Sequence, residues 1–470
     1  MNRLDRFFEI SERGSSIAAE LRGGVVTFIA MAYIVVLNPI ILSGSPDVDG
    51  NQLQFTQVSA VTSLAAGVMT IVFGVIARLP FAFAAGLGIN SFLAATVVGS
   101  VTWPEAMGLV VINGLIIVAL AVTGLRKLIF DAVPMQLKLA ITAGIGLFIL
   151  FIGFIDAGFV ASTELPSPPV GLGSGGLGSI TTVPTLVFVV TLLVTGILVA
   201  RKVRGGILIG LVTGTIIAVI IEAIWHLGSG QDNPGGWGLS VPTLSGSPFA
   251  VPDLSLVGAF SMDSFGRIGI LAGVMLVFTL VFTNFFDAMG TFTGLSRQAG
   301  LSDEHGNFPR LRSALVVEGA GAVVGGSVSA SSNTVFIESG AGIGEGARTG
   351  LASLVTGALF LAAMFLTPLA AIVPSEVAAA ALVIVGAMMA AVLREIDLED
   401  FSVALPVVLT VAVMPLSYSI ANGIGVGFIS WVVVRSAAGK AREISPLLWI
   451  VAAGFLLYFA RGWVDSLIGV

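Results

Sequence analysis

The sequence predicts an all-α, multi-pass membrane protein, and three observations lead to that fold class. The 470 residues are 56% hydrophobic and only 10% charged, whereas ordinary soluble domains carry about 25% charged residues. Apolar runs of about 20 residues, the length that crosses a bilayer, recur from Gly24 almost to the C-terminus. Lys and Arg are concentrated in alternate connections between these runs, as the positive-inside rule requires of a protein that crosses the membrane many times.

The apolar runs divide into about fourteen transmembrane segments, numbered here in chain order. Their predicted bounds are 24–43, 58–77, 80–97, 105–125, 137–155, 183–200, 205–225, 268–296, 311–328, 332–346, 349–372, 376–393, 401–417 and 419–436. A further apolar stretch, 446–460, fits either a fifteenth span or a helix at the membrane interface.

The charge distribution predicts a cytosolic N-terminus in the cytoplasmic (inner) membrane of a bacterium. The long loops 156–182 and 227–266 contain no Lys or Arg and are expected on the outer side. Residues 1–16 lack the apolar core and cleavage site of a signal peptide and are expected to remain cytosolic. Arg267, at the outer edge of segment eight, is the clear exception to the charge rule.

Segments three and ten are abnormal in the same way. Segment three opens with Pro80 and a run of small residues, and segment ten opens with a polar run of Ser, Asn and Thr. Each is third in a set of seven, and an odd set makes the second half enter the membrane from the opposite side. The pattern therefore predicts two inverted repeats of seven with half-helices in segments three and ten, where transporters of this type place their binding site.

Three carboxylates inside predicted spans are the sharpest functional signal, since a charge at the bilayer centre costs roughly 3 kcal/mol or more. They are Asp287 in segment eight, Glu318 in segment nine and Glu338 in segment ten. No Lys or Arg is expected inside the membrane to pair with them, so they are candidates for binding substrate or cation or for carrying a proton. Glu318 has an alternative role, which is to tie segment nine to a neighbouring backbone or hydroxyl group.

Two further residues have chemistry that suits a flat heterocycle. Asn90 in segment three offers a donor and an acceptor, although it would equally satisfy the broken backbone there. Phe336, two residues before Glu338, would supply an aromatic face. The chain has no Cys and only two His, which excludes thiol catalysis and argues against a metal centre. No cofactor, no metal ion and no nucleic acid is expected to bind.

At these residues the chain resembles a known family. FFDAMGTFTGLSRQAGL and SNTVFIESGAGIGEGARTGL, in segments eight and ten, resemble the azaguanine-type purine permeases of the nucleobase–cation symporter (nucleobase/ascorbate transporter) group. The resemblance extends over residues 7–460. Phe336 departs from the Tyr that is usual in that motif, and Ala288 and Met289 stand where Thr is common after the carboxylate.

The resemblance implies a core domain of segments one to four and eight to eleven, and a gate domain of segments five to seven and twelve to fourteen. It implies a base bound between segments three, eight and ten by Asn90, Asp287 and Glu338, with the backbone around Phe336 and Ile337. The implied divisions are a cytosolic N-terminus 1–23, core 24–125, gate 126–226, external loop 227–267, core 268–372, gate 373–436 and a C-terminal segment 437–470.

The function expected from residues and resemblance together is proton-coupled uptake of adenine, guanine or hypoxanthine by alternating access. This is a transporter and not an enzyme, surrounded by membrane lipid and compatible with a homodimer. Candidate proton carriers are Glu338, Asp287 and Glu318, with sodium as the alternative coupling ion. Three other functions stay open: a uracil or xanthine permease, an anion transporter of the same architecture, and an intramembrane hydrolase that uses two carboxylates.

Overall fold

A computed structural model describes residues 3–124, 132–163, 170–173, 179–244, 246–302 and 308–468 of the chain. The predicted multi-pass helical fold is confirmed. The helices are Arg3–Phe8, Ile17–Met31, Ile34–Ser43, Phe55–Ile76, Leu87–Phe92, Trp103–Thr123, Met135–Asp156, Val183–Ala200, Gly206–Trp225, Ser264–Ile268, Ile270–Gln298, Leu311–Ser327, Ser339–Gly344, Gly350–Ala363, Thr367–Ala370, Ser375–Ala390, Phe401–Leu416, Ile420–Ala437 and Pro446–Ile468.

All fourteen predicted segments correspond to elements of this structure. Ten of the described helical stretches are long and apolar enough to cross a membrane. Segments nine and thirteen form helices of 17 and 16 residues. Segments three and ten are the broken ones. The stretch after residue 446 forms a helix, Pro446–Ile468, that packs against segments fourteen and eight.

The two broken segments contain short strands in addition to helix, which the all-α prediction did not include. In segment three, strand β1 (Phe83–Ala85) is followed by the short helix Leu87–Phe92 and a π-turn, Leu93–Val97. In segment ten, strand β4 (Asn333–Val335) is followed by the short helix Ser339–Gly344. Strands β1 and β4 pair antiparallel, so the two broken segments lie side by side at their strands inside the bundle.

Polar side chains complete the hydrogen bonding of the broken backbone in segment three. The Thr70 hydroxyl accepts from the N–H of Phe83 at 2.9 Å and donates to its carbonyl at 3.1 Å. Ser339 accepts from the N–H of Ala82 at 3.0 Å, and Ser353 donates to Phe81 O at 2.9 Å. Irregular backbone is tolerated at membrane depth because protein groups, and not lipid, surround it.

The packing of the helices repeats between the two halves. Segment two packs against segment eleven, and segment four packs against segment nine. Segments two and nine hold the same place in the two repeats, and so do segments four and eleven. The contact between two and eleven therefore corresponds to the contact between nine and four, as expected for an inverted repeat. Segments five and twelve, which are also counterparts, pack against each other.

The connections between segments five and six and after segment seven carry their own structure. A hairpin of β2 (Val160–Ser162) and β3 (Val170–Leu172) lies between segments five and six. In the loop after segment seven, Trp237 is fully buried and donates from its indole nitrogen to Glu222 at 2.9 Å. Arg267, the exception to the charge rule, forms ion pairs with Glu105 at 2.9 Å and Asp49 at 3.2 Å, so its charge is locally neutralised.

Candidate functional site

The three intramembrane carboxylates come together where segments eight, nine and ten meet. Asp287 and Glu338 are both half-buried and are close enough for their negative charges to repel each other. Glu318 is fully buried and its charge also interacts with that of Asp287. None of the three forms an ion pair with a described Lys or Arg. Among the described residues no cluster of His, Cys, Asp and Glu is arranged to hold a metal ion.

Glu338 is oriented by a residue that the sequence did not indicate. The hydroxyl of Tyr33, a fully buried side chain between the two helices of segment one, donates to Glu338 Oε1 at 2.5 Å. A hydrogen bond to an ionised acceptor is among the strong ones in proteins. The bond therefore holds one carboxylate oxygen in place and leaves the other free to accept from a ligand.

Glu318 contacts strand β4 of the paired strands. Its Oε2 accepts from the N–H of Val335 in β4 at 3.3 Å, while Oε1 has no hydrogen-bond partner in the described part of the chain. This contact ties segment nine to a neighbouring backbone group, which is the alternative, structural role considered for Glu318. It positions the strand that carries Phe336 and Glu338.

Asn90 is turned toward segment one. Its side chain is fully buried, and Nδ2 donates to Asn38 Oδ1 at 2.6 Å. Asn38 in turn donates to Thr62 Oγ1 at 2.7 Å and to Ala330 O at 3.1 Å. The Oδ1 atom of Asn90 has no partner among the described residues. One of the two N–H donors of Asn90 is therefore used by Asn38, and its Oδ1 acceptor is available to a ligand.

The turn after β4 presents its backbone to the site. The N–H of Phe336 donates to Ala82 O at 2.9 Å, and its ring is buried among apolar side chains. Ile337 is 50% exposed, and no described group accepts from its N–H. The backbone N–H of Ile337 is therefore available to a ligand, next to the carboxylate of Glu338.

Two buried amides near the site were missed by sequence reasoning. Asn284 lies three residues before Asp287 on segment eight, and Asn333 begins β4. Both are fully buried, and neither has a side-chain hydrogen-bond partner in the described ranges. A signal for Asn284 was present, because positions i and i+3 share a helix face and Asp287 had already been singled out.

A buried lysine lies within one of the predicted spans, contrary to the expectation of no Lys or Arg inside the membrane. Lys138 falls within the predicted bounds of segment five, 137–155, and it is buried in the structure with 8% of its surface exposed. The membrane-embedded part of the chain is therefore not free of Lys. This residue lies at the start of the helix Met135–Asp156, one turn from its end.

Comparison with known sequences identifies relatives along nearly the whole chain. Residues 18–426 match the Xan_ur_permease family, described as "Permease family". The chain is 38% identical to the guanine/hypoxanthine permease PbuG of Bacillus subtilis, over 97% of this chain and 99% of that protein. It is 35% identical to the adenine permease AdeP of Escherichia coli, over 97% of this chain and 95% of that protein.

Comparison with solved structures supports the fold. The transmembrane domain of the cyanobacterial bicarbonate transporter BicA matches 86% of this chain and 97% of that domain, with a TM-score of 0.62 and 18% identity. Murine Slc26a9, an anion transporter, matches 90% of this chain and 68% of that chain, with a TM-score of 0.60 and 12% identity. At such identity the likeness concerns the fold alone. The family match covers most of the chain and the relatives align from end to end, so the protein belongs to this permease family and is a multi-pass membrane transporter, not an enzyme.

Proposed function

We propose that the protein is a proton-coupled permease for purine nucleobases. A neutral purine carries N–H donors beside ring-nitrogen and carbonyl acceptors. Asp287 and the free oxygen of Glu338 would accept from the N–H groups of the base. The N–H of Ile337 would donate to an acceptor on another edge. Asn90 Oδ1 and the amide of Asn284 are further unpaired groups that a base could bond.

The observation that carries this proposal is the pair of carboxylates, Asp287 on segment eight and Glu338 on broken segment ten, which are close enough for their charges to interact. Neither has a described cationic partner, and Glu338 is held by Tyr33 at 2.5 Å. Two negative groups without a counter-charge suit a neutral ligand with donors, or a proton, and they disfavour an anion such as bicarbonate or sulfate. The relatives named above, a guanine/hypoxanthine permease and an adenine permease, support the same substrate class.

Transport would proceed by movement of one group of segments against another. In this proposal segments one to four and eight to eleven form the core that carries the base, and segments five to seven and twelve to fourteen form the gate. The packing of segment two on eleven, four on nine and five on twelve supports that division. The N-terminus would lie in the cytosol, with Glu338 or Asp287 carrying the proton and Glu318 as a further candidate.

The direct test is uptake of labelled adenine, guanine and hypoxanthine by cells that lack their own purine permeases, with and without Asp287→Ala. Losing an acceptor in a site shielded from water leaves a ligand N–H unpaired, which costs roughly 1–3 kcal/mol or about ten- to a hundred-fold in affinity. We expect purine uptake by the wild type and near-background uptake by Asp287→Ala at equal expression. Uptake of labelled uracil or xanthine by the wild type, with no uptake of labelled adenine, guanine or hypoxanthine, would contradict the proposed substrate class.

A further inference from the structure

A cavity lies away from the three carboxylates, at the end of the bundle where segment one finishes. It has a volume of about 240 Å³. It is bounded by the end of segment one, the π-turn of segment three, the end of segment five, the start of segment twelve and the turn before segment fourteen. Its lining includes Ser91, Ile152, Asp156, Ser375 and Tyr418. We call this cavity the outer vestibule, because the charge distribution places this end outside the cell.

Asp156 is the acceptor in the outer vestibule. It is the last residue of segment five, and its side chain is exposed toward the cavity. No described group donates a hydrogen bond to its carboxylate. The neighbouring acid, Glu376, is by contrast already engaged, since it accepts from the N–H of Gly238 at 2.9 Å and from the hydroxyl of Ser375 at 3.3 Å. Asp156 is therefore a carboxylate that is available to a ligand.

Ser91 provides an independent sign that the cavity is built to hold something. It lines the vestibule from the opposite side, on the short helix of segment three beside Asn90. The residue is fully buried, and its hydroxyl has no hydrogen-bond partner in the part of the chain that is described. Buried hydroxyl groups are normally paired, so a ligand with polar edges would satisfy this one.

Tyr418 forms an aromatic wall of the vestibule. Its ring packs edge-on against Phe148 and Phe151 of segment five, with centroids 5.6 and 6.3 Å away. Its backbone has φ of 51°, a left-handed conformation that is strained for a residue with a side chain. Its carbonyl accepts from Thr96 Oγ1 of segment three at 3.4 Å. A strained backbone held in place by its surroundings often occurs at functional positions.

We propose that the outer vestibule is a second, weaker binding site for the purine base, occupied before the base reaches Asp287 and Glu338. The proposal rests on the proposed function. Asp156 accepts an N–H of the heterocycle, the Ser91 hydroxyl bonds another edge, and Tyr418 contacts the flat face. Pockets for drug-sized ligands measure roughly 300–1,000 Å³, and a nucleobase is smaller than such a ligand, so one base fits.

The walls of this site come from both of the proposed moving bodies. Ser91 is on segment three, whereas Asp156 ends the helix of segment five and Tyr418 lies in the turn before segment fourteen. Movement of one body against the other changes the distance between these walls. The base held here would therefore be released toward the central site or back to the outside as the bundle moves.

The experiment counts binding sites for labelled hypoxanthine and adenine on the purified full-length protein in nanodiscs. We expect two classes of site in the wild type. Asp287→Ala should lose the tight class and retain the weak one, and Asp156→Asn should do the reverse. In uptake from outside, Asp156→Asn should raise KM about ten-fold with little change in the maximal rate. Asp232→Asn, which makes the same change of charge in the outer loop after segment seven, is the matched control and should behave as wild type.

Ser91→Ala protects the test against misfolding of Asp156→Asn, because it removes a hydroxyl that forms no hydrogen bond with the described residues. It should raise the dissociation constant of the weak class alone. A single class of site that Asp287→Ala abolishes, with KM unaltered in Asp156→Asn and Ser91→Ala, would overturn the vestibule site and leave the proposed function intact. Absence of any purine binding by the wild type would instead overturn the proposed function.

Discussion

At the scale of residues, the three carboxylates of the central site differ in what surrounds them. Glu338 has a hydroxyl donor from Tyr33 at 2.5 Å, and Glu318 has a backbone donor from Val335 at 3.3 Å. Asp287 has no described donor and interacts with both of the others through charge. Because they are coupled, a proton bound to one changes the charge felt by the other two. A proton carrier and a substrate acceptor can thus be neighbours in one site.

Glu338→Gln is expected to separate exchange from uphill transport. Glutamine keeps an oxygen that accepts from Tyr33, so the local structure should persist, but it cannot release a proton. The variant in proteoliposomes should still exchange labelled base for unlabelled base, while accumulation driven by a pH gradient should fall to background. Asp287→Asn, measured beside it, distinguishes the two candidate carriers. Undiminished pH-driven accumulation by Glu338→Gln would move the proton to Asp287 or Glu318.

Asn90→Ala tests whether Asn90 contacts the base or only joins segments one and three. The matched variant is Asn38→Ala, because it removes the same hydrogen bond from the other side. Both should lower the melting temperature in detergent, since each leaves a buried polar group unpaired at about 1–3 kcal/mol. Only Asn90→Ala should change the order in which unlabelled bases compete for uptake. If the order is the same in both variants, Asn90 is a structural residue.

At the scale of elements, close helix contacts in each half depend on glycine. A Cβ placed on Gly319 of segment nine would lie 2.7 Å from the N atom of Val118 and 3.0 Å from Gly114 O of segment four. The counterpart pair, segments two and eleven, meets in the same way, with a Cβ on Gly74 only 2.6 Å from Gly350 O. Small residues let helices approach in lipid, where dispersion contacts replace the hydrophobic effect.

Gly319→Ala is expected to destabilise the protein by roughly 1–3 kcal/mol, because the added methyl group meets backbone atoms that cannot rotate away. The control is Gly196→Ala in segment six, where the nearest atom to a new Cβ is Ile384 Cδ1 at 3.7 Å. That change should be neutral or slightly stabilising, since alanine favours the helix. The measurement is the melting temperature of each purified variant in the same detergent. Equal melting temperatures would show that this helix contact is not as tight as the structure indicates.

At the scale of the whole molecule, the central question is whether the two proposed bodies move. Segment three, on the core side, meets segment five, on the gate side, at Gly88. A Cβ on Gly88 would lie 2.8 Å from Ile145 Cγ2, and no other atom lies within 4 Å of it. The chain contains no Cys. Two introduced cysteines are therefore the only thiols of the protein, and any disulfide within the chain joins those two residues.

A disulfide in Gly88→Cys/Ile145→Cys is expected to stop transport until it is reduced, because it joins the core to the gate. Disulfides form where Cβ atoms are about 3.5–4.5 Å apart, a spacing that this contact allows. The control pair, Gly206→Cys/Leu198→Cys, lies within the gate, where a Cβ on Gly206 is 3.2 Å from Leu198 Cβ. Oxidation should leave purine uptake by the control pair unaltered. Full transport by the oxidised Gly88/Ile145 pair would contradict movement between these two bodies.

Much of the architecture could be predicted from the sequence because it follows from local patterns of apolar and polar residues. Apolar runs of bilayer length located the fourteen segments to within a few residues, except that segment one begins at Ile17 and not at Gly24. The small residues after Pro80 and the polar run before Glu338 located the two broken segments. A carboxylate inside an apolar run is rare, so the sequence alone indicates Asp287, Glu318 and Glu338 as candidate site residues.

The sequence by itself therefore determined that this is a multi-pass membrane protein, and it indicated which segments are broken and which carboxylates are candidates for the site. Only the tertiary structure decided which partners those groups have. Tyr33 and Glu338 are 305 positions apart and Asn38 and Asn90 are 52 apart, and strands β1 and β4 come from opposite halves of the chain. The reason is physical. Burial and span length follow from consecutive residues, whereas a hydrogen bond between distant segments depends on how whole helices pack, and no local pattern encodes that packing.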